Sequence, residues 1–235
     1  MKQYYLSSAL VALGAVLCGA SPAFAGTLAD ALMRSAPDAS VEAVRLAVSA
    51  TECAVARGQP PAERLAVIDY ARASTEPRLW VFDLAGSRLL YREWVAHGRN
   101  SGANFASAFS NAAESHESSL GLFRTLDTYQ GHNGYSLRLD GLEPGFNDHA
   151  LERAIVMHGA PYVNPEIATT LGRLGRSFGC PALRPAVTRP LLDTLKNGQY
   201  VFSYYPDAKW LAASPLLSCG KATPSDSATT RAAAP

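Results

Sequence analysis

Short apolar and aromatic runs fill the chain from Arg78 onward, and they constrain its fold more than any other feature. Two of them, residues 79–84 and 88–96, are joined by Ala85-Gly86-Ser87, which is typical of a β-hairpin. Gly, Pro, Asn and Asp separate further runs, which predict strands over residues 121–129, 135–139, 154–158 and 199–205. Two helical segments interrupt these strands, near residues 165–174 and 187–196. The pattern therefore predicts a mainly β fold.

The segment before these strands predicts helices instead. Valines recur at helical spacing between residues 41 and 55, directly after Ser40, which is suited to cap a helix. Gly58-Gln59-Pro60-Pro61 ends this helix, and the apolar spacing over residues 65–71 predicts another. We expect this part of the chain to be a helical extension that packs on the main domain.

The first 25 residues have the features of a cleaved secretory signal. Lys2 supplies a positive charge, residues 6–17 are apolar, and Ala23-Phe24-Ala25 forms a small-x-small cleavage site. The apolar stretch is shorter than a membrane span. Cys18 does not predict a lipid anchor, because Leu17 stands where lipoprotein processing requires a small residue. We therefore expect an exported protein of the periplasm or cell envelope, with no transmembrane span in its mature form.

These patterns divide the chain into four predicted parts. They are a signal peptide (1–25), a helical N-terminal extension (26–75), the main β-rich domain (76–220) and a flexible tail (221–235).

Composition excludes two classes of protein. The 21 basic and 20 acidic residues give a net charge of +1, so no basic excess favours nucleic-acid binding. With 48% hydrophobic and 17% charged residues, extended disorder is also excluded.

Three cysteines remain after the predicted cleavage, and an odd number in an oxidising compartment leaves one thiol unpaired in the chain. Cys53 and Cys219 flank the predicted core and are the natural candidates for a disulfide. The sequence leaves open whether they are bridged or both reduced and buried. In either case Cys180 needs a separate explanation.

Cys180 lies in the segment Gly175-Arg176-Ser177-Phe178-Gly179-Cys180-Pro181. Its first five residues match the G-x-S-x-G turn of serine hydrolases, but in that fold the histidine follows the serine, and here all five histidines precede Ser177. Cys180 is the better nucleophile, since Gly179 allows close approach of a carbonyl group. The backbone N–H of Cys180 can then stabilise an oxyanion.

A thiol requires a base at neutral pH, and His158 is the candidate. It follows the apolar run Ala154-Ile155-Val156-Met157 and precedes Gly159, so a strand end can hold it at a cleft. The alternative is a core histidine that is hydrogen-bonded only to the backbone.

The pair His158-Gly159 with Ser177-Phe178-Gly179-Cys180 resembles the His-Gly…Ser-x-Gly-Cys signature of L,D-transpeptidase (YkuD-like) catalytic domains. The flanking sequences resemble the branch of murein L,D-transpeptidase catalytic domain proteins over roughly residues 78–206. The matching flanks are Ser118-Ser119-Leu120-Gly121, residues 136–143, Asn147-Asp148 and residues 179–183.

The resemblance implies a YkuD-like β-fold and a cysteine acyltransferase that crosslinks peptidoglycan in cell wall biogenesis. By this analogy Cys180 attacks the carbonyl of the third stem residue and releases D-Ala, while His158 takes the thiol proton. The Gly159 carbonyl orients the imidazole, and the N–H groups of Gly179 and Cys180 form the oxyanion hole. The partners are then a donor stem peptide and an acceptor stem peptide.

The chain also departs from the commoner family pattern. Phe178 stands where a histidine is common, and Ala182 stands where an arginine is common. We expect Arg176 or Arg184 to replace that arginine as a contact for a substrate carboxylate. The further candidates for substrate binding are Ser177, Tyr162 and His97.

No metal site or cofactor is expected, because the histidines lack spacings such as H-E-x-x-H. Two other functions remain open from the sequence. Water in place of an amine would make the protein an L,D-carboxypeptidase. A catalytically silent peptidoglycan-binding module is the other alternative, although such a module needs neither His158 nor Cys180.

Overall fold

A computed structural model of the 235-residue chain describes Met1 and residues 26–219. The predicted signal peptide, Cys18 within it, and the predicted tail (221–235) lie outside the described residues, Met1 apart. The described helices are α1 (Leu28–Ser35), α2 (Val41–Ala56), α3 (Pro165–Leu171), α4 (Pro185–Leu195) and α5 (Ala208–Ala213). The strands are β1 (Arg64–Asp69), β2 (Leu79–Asp83), β3 (Arg88–Glu93), β4 (Val95–Ala96), β5 (Gly121–Gly131), β6 (Gly134–Gly141), β7 (Val156–Gly159), β8 (Ala182–Leu183) and β9 (Tyr200–Tyr204).

All nine strands form one sheet, in the order β3-β2-β1-β9-β5-β6-β7-β8-β4. The pairs β1–β9 and β7–β8 are parallel, and the other neighbours are antiparallel. Only Trp94 separates β3 from β4, which occupy the two ends of the sheet. The sheet therefore curves until its ends approach each other. The predicted fold class, mainly β with helices in the N-terminal part, is confirmed.

One segment folds differently from the prediction. The helix predicted over residues 65–71 is wrong, because Arg64–Asp69 form β1 between β2 and β9. All residues of β1 except the first are buried. A central strand covered on both faces is apolar throughout and does not alternate, so its spacing can resemble that of a helix. β1 lies before residue 76, the predicted domain boundary, whereas its partner strands β2 and β9 lie after that boundary. The division into domains stays a prediction.

The first helices pack on one face of the sheet. α2 begins after Ser40, whose Oγ accepts the N–H of Ala43 at 3.2 Å, as the sequence predicted. Its buried residues join a core with α1, α5 and residues of β1, β2, β5 and β9. Cys53 and Cys219, which the sequence left open, form a disulfide that ties α2 to the segment after α5.

The other side of the sheet is covered by α4, and this second core reaches the predicted nucleophile. Leu191, Leu192 and Leu195 of α4 pack in a buried cluster that also contains Val156 and Cys180. Cys180 is therefore part of the buried core between α4 and the sheet. Within the described part of the chain, no helix is long and apolar enough to span a lipid bilayer.

Candidate active site

The register of two parallel strands places Cys180 beside β7. His158 pairs with Ala182 at the start of β8, and Cys180, two residues before β8, lies next to Val156, two residues before His158. The N–H of Val156 donates to Cys180 Sγ at 3.5 Å, and the thiol donates to the carbonyl of Ala154 at 3.7 Å. Only 8% of Cys180 is exposed. The backbone of residues 154–156 therefore holds the sulfur in one position.

Cys180 is the free cysteine of the described residues. Burial raises the pKa of its thiol above the ordinary 9.0, while the Val156 N–H and the positive charge of Arg153 act in the opposite direction. Because burial dominates, the thiol is protonated at neutral pH. It needs a base when it attacks a carbonyl.

His158 has the protonation state of such a base. Its Nδ1 lies 3.0 Å from the Gly159 carbonyl, so the neutral ring carries its proton on Nδ1 and leaves Nε2 able to accept one. Burial lowers the pKa of His158 below its ordinary value, and the contact with Gly159 opposes that shift only in part. The imidazole is therefore neutral at pH 7.

The imidazole and the thiol are not hydrogen-bonded to each other within the described structure, because the thiol contacts Ala154 and Val156 instead. They are nevertheless neighbours. Val156 and His158 face the same side of β7, about 7 Å apart along the strand. This arrangement brings together a neutral thiol and a neutral base.

Ser177 organises the turn that carries the nucleophile. Its hydroxyl donates to the Cys180 carbonyl at 2.6 Å and accepts the Gly179 N–H at 3.2 Å. The Gly179 N–H, one of the two predicted oxyanion donors, is thus engaged within the turn. Within residues 26–219 the Cys180 N–H donates to no other residue and acts only on the thiol of its own side chain, so this second predicted donor lies at the nucleophile.

Position 179 requires glycine for two reasons. Its φ is 118°, a conformation that side chains rarely adopt. A Cβ there would also lie 2.9 Å from the Glu117 carbonyl and 3.0 Å from the Ile155 side chain. The close packing of these segments fixes where the turn sits.

The segment that packs against Gly179 was not singled out for a role in the sequence. Ser118 Oγ donates to the Gly179 carbonyl at 3.0 Å and accepts the Gly98 N–H at 3.0 Å. The guanidinium of Arg153 donates to the Glu117 carbonyl at 2.7 Å. The family resemblance of Ser118-Ser119-Leu120-Gly121 was the available signal for this segment, but it indicated no function.

His97, a predicted substrate contact, lies inside the protein. It is fully buried, and its Nδ1 lies 2.7 Å from the guanidinium of Arg78. Burial, together with the charge of Arg78, lowers the pKa of His97 to about 3. His97 is therefore a neutral, buried histidine, and its contact with a substrate stays a prediction.

The two candidate arginines are engaged by other parts of the chain. Arg176 donates to the carbonyls of Gly102 at 2.7 Å and Arg99 at 3.2 Å. Arg184 forms a two-pronged ion pair with Glu93, with N···O distances of 2.8 and 2.6 Å. These hydrogen bonds do not test whether Arg176 or Arg184 contacts a substrate carboxylate. Both contacts stay predictions.

Two aromatic residues lie at the edge of the site. Phe178 is 65% exposed, and its ring packs 4.7 Å from the His116 ring and 4.8 Å from the Arg99 guanidinium. Tyr162 is half-buried and packs against Gly175. A side chain at position 175 would collide with the Tyr162 side chain. Burial, with a smaller effect from Cys180, raises the pKa of Tyr162 to about 12, so its hydroxyl stays protonated.

Two adjoining cavities provide space for a ligand near Gly159. The larger, of about 510 Å³, is lined by Arg184 and Glu166 among others, and the smaller, of about 290 Å³, by Gly159 and Arg189. They share Pro161 and Pro185. A mainly apolar groove with charged groups at its rim suits an extended peptide.

A sequence model of the L,D-transpeptidase catalytic domain family matches residues 35–204. No curated protein matches the chain.

Several solved structures resemble it at low sequence identity. An L,D-transpeptidase from Mycobacterium smegmatis shares 14% identity and a TM-score of 0.39, over 62% of this chain and 60% of that one. One from Stackebrandtia nassauensis shares 13% identity and a TM-score of 0.37, over 74% of each chain. One from Xylanimonas cellulosilytica shares 16% identity and a TM-score of 0.35, over 65% of this chain and 68% of that one. The match thus spans about three fifths of the length of the Mycobacterium smegmatis protein.

Proposed function

Because the chain belongs to the L,D-transpeptidase catalytic domain family, we propose that it is an exported cysteine acyltransferase that crosslinks peptidoglycan. One observation carries the proposal. The free thiol of Cys180 is held by the backbone at one end of β7, and two residues further along lies His158, whose Nδ1 is fixed by the Gly159 carbonyl.

In the first step Cys180 Sγ attacks the carbonyl carbon of the third residue of a tetrapeptide stem. The C–S bond forms while Nε2 of His158 accepts the thiol proton, and the carbonyl electron pair moves onto the oxygen. The Cys180 N–H stabilises this oxyanion. When the intermediate collapses, the C–N bond breaks, and the amine of D-Ala leaves with the proton from His158.

In the second step the side-chain amine of another stem attacks the thioester. His158 accepts a proton from the amine, and the C–S bond breaks to regenerate the thiol. The product is a crosslink between two third residues. If water replaces the amine, the same acyl-enzyme yields a shortened stem, which is the carboxypeptidase reaction.

The positive charge of Arg153 and the Cys53–Cys219 disulfide support two further parts of the proposal. The guanidinium of Arg153 favours the thiolate at the moment of attack, because it opposes the effect of burial on the pKa of Cys180. The Cys53–Cys219 disulfide is typical of an oxidising compartment and supports export to the cell envelope, with residues 1–25 acting as the signal peptide.

A carbapenem tests the nucleophile directly, because its strained amide acylates an activated thiol. Purified protein without residues 1–25 is incubated with imipenem and measured by intact-mass spectrometry beside Cys180→Ala. We expect one covalent adduct that peptide mapping assigns to Cys180, and none on the variant. An unmodified wild-type protein would contradict the acyltransferase and favour a silent binding module.

A further inference from the structure

We propose that the Ser118 hydroxyl is a positioning group, which fixes the peptide bond between Gly179 and Cys180 so that the Cys180 N–H points toward the developing oxyanion. The inference rests on the proposed function of Cys180. It assigns a role to a residue that does not itself touch the substrate.

The hydrogen bonds of Ser118 define which way its proton points. The residue is only 1% exposed, so water does not compete for its hydroxyl. The Gly98 N–H donates to Ser118 Oγ at 3.0 Å and occupies one of its lone pairs. The single hydroxyl proton is then donated to the Gly179 carbonyl at 3.0 Å.

The planarity of the peptide bond transmits this contact to the nucleophile. In a trans peptide the carbonyl and the following N–H point in opposite directions. A Gly179 carbonyl that is bound to Ser118 therefore directs the Cys180 N–H away from Ser118. Within residues 26–219 that N–H donates to no other residue and faces only the sulfur of its own side chain.

This peptide needs an external clamp because it follows a glycine. Gly179 has no Cβ to restrict its rotation and already has a φ of 118°. Ser177 holds the Gly179 N–H at 3.2 Å and the Cys180 carbonyl at 2.6 Å, which belong to the peptide bonds before and after this one. Without the Ser118 hydroxyl, the carbonyl of Gly179 loses a buried partner, and the Cys180 N–H is free to turn away from the oxyanion.

Two reactions of the same thiol separate positioning from general structural damage. Acylation by imipenem passes through an oxyanion, whereas alkylation by iodoacetamide is a displacement at carbon that forms none. Both rates are measured on Ser118→Thr and Ser118→Val. These two variants have the same shape and differ in the hydroxyl group. Ser118→Ala is measured with them.

A matched control is a second buried serine, whose hydroxyl binds a segment outside the turn that carries Cys180. Ser214 is also 1% exposed, and its Oγ accepts the backbone N–H of Leu217 at 3.2 Å. Ser214→Ala removes a comparable buried hydroxyl far along the chain from the turn. We expect it to leave both rates unchanged.

We expect Ser118→Val and Ser118→Ala to acylate about tenfold or more slowly than the wild type, as for a weakened oxyanion donor. Their alkylation rates should stay within about twofold of the wild type, and Ser118→Thr should acylate several-fold faster than Ser118→Val.

Equal acylation of Ser118→Thr and Ser118→Val would overturn the inference. A parallel fall in both reactions would also overturn it, because that result indicates a disturbed thiol and not a misdirected N–H. If the wild type is alkylated but never acylated, the proposed function fails and the inference fails with it. If the wild type is acylated and the Ser118 variants are acylated at the same rate, only the positioning role of Ser118 is refuted.

Discussion

Replacement of His158 by alanine tests whether this histidine activates the nucleophile. The variant removes an imidazole that is neutral at pH 7 and whose Nδ1 is held by the Gly159 carbonyl. The thiol of Cys180 is left without a base. Attack must then depend on the fraction of Cys180 that is already ionised.

The pKa of the thiol sets the size of the effect. Burial raises this pKa above 9.0, so at pH 7 at most about 1% of Cys180 is thiolate. We therefore expect His158→Ala to slow acylation about 100-fold or more at pH 7. At pH 8 the thiolate fraction is about tenfold larger, so the deficit should shrink as the pH rises.

The assay is the rate of imipenem adduct formation between pH 5.5 and pH 9.5. Wild-type acylation should increase through a pKa below 6.5, where His158 loses its proton, and then level off. His158→Ala should instead increase about tenfold per pH unit up to the thiol pKa. His132→Ala, which changes an exposed histidine in the turn between β5 and β6, is the control. Equal rates for His158→Ala and wild type at pH 7 would refute the role of His158.

Three further changes test other parts of the structure. The double variant Cys53→Ser, Cys219→Ser opens a bridge between residues 166 positions apart and should lower the free energy of unfolding by about 2–5 kcal/mol in urea titrations; an unchanged midpoint would contradict the bridge. Glu143→Gln should destabilise the fold by about 1–3 kcal/mol in the same assay. The two carboxylate oxygens of Glu143 accept the Leu122 N–H and the Trp210 Nε1–H, whereas a glutamine has only one acceptor oxygen. Equal stability of the variant and the wild type would contradict this prediction. Phe178→His should leave imipenem acylation within about tenfold of the wild type, because the exposed ring contacts neither Cys180 nor His158; complete loss would show that the ring supports the turn.

Local patterns in the sequence predicted much of the fold. The hairpin of β2 and β3, strands β5, β6, β7 and β9, and helices α2, α3 and α4 form where turn residues and apolar periodicity placed them. β1 was mistaken for a helix because burial on both faces removes the alternation that identifies a strand. β8 has only two residues, which is too short to leave a periodic signal.

The site could be predicted in its residues but not in its contacts. Chemistry and resemblance indicate Cys180 and His158, and the structure places His158 in β7 and Cys180 in the turn just before β8, the parallel neighbour of β7. The bonds from Ser118 and Arg153 join segments that lie 61 and 36 positions apart in the chain, and no local pattern encodes such contacts. The position of His97 after β4 likewise gives no sign that its ring is buried against the guanidinium of Arg78.

The most direct test of the proposed acyl transfer follows the reaction of the mature protein with a disaccharide-tetrapeptide. Products are separated by chromatography and identified by mass spectrometry, beside the same incubation with Cys180→Ala. We expect release of D-Ala and a dimer linked between two third residues, both absent with the variant. Tripeptide without dimer would replace the transpeptidase with an L,D-carboxypeptidase. Dimer formed equally by Cys180→Ala would contradict the assignment of the nucleophile.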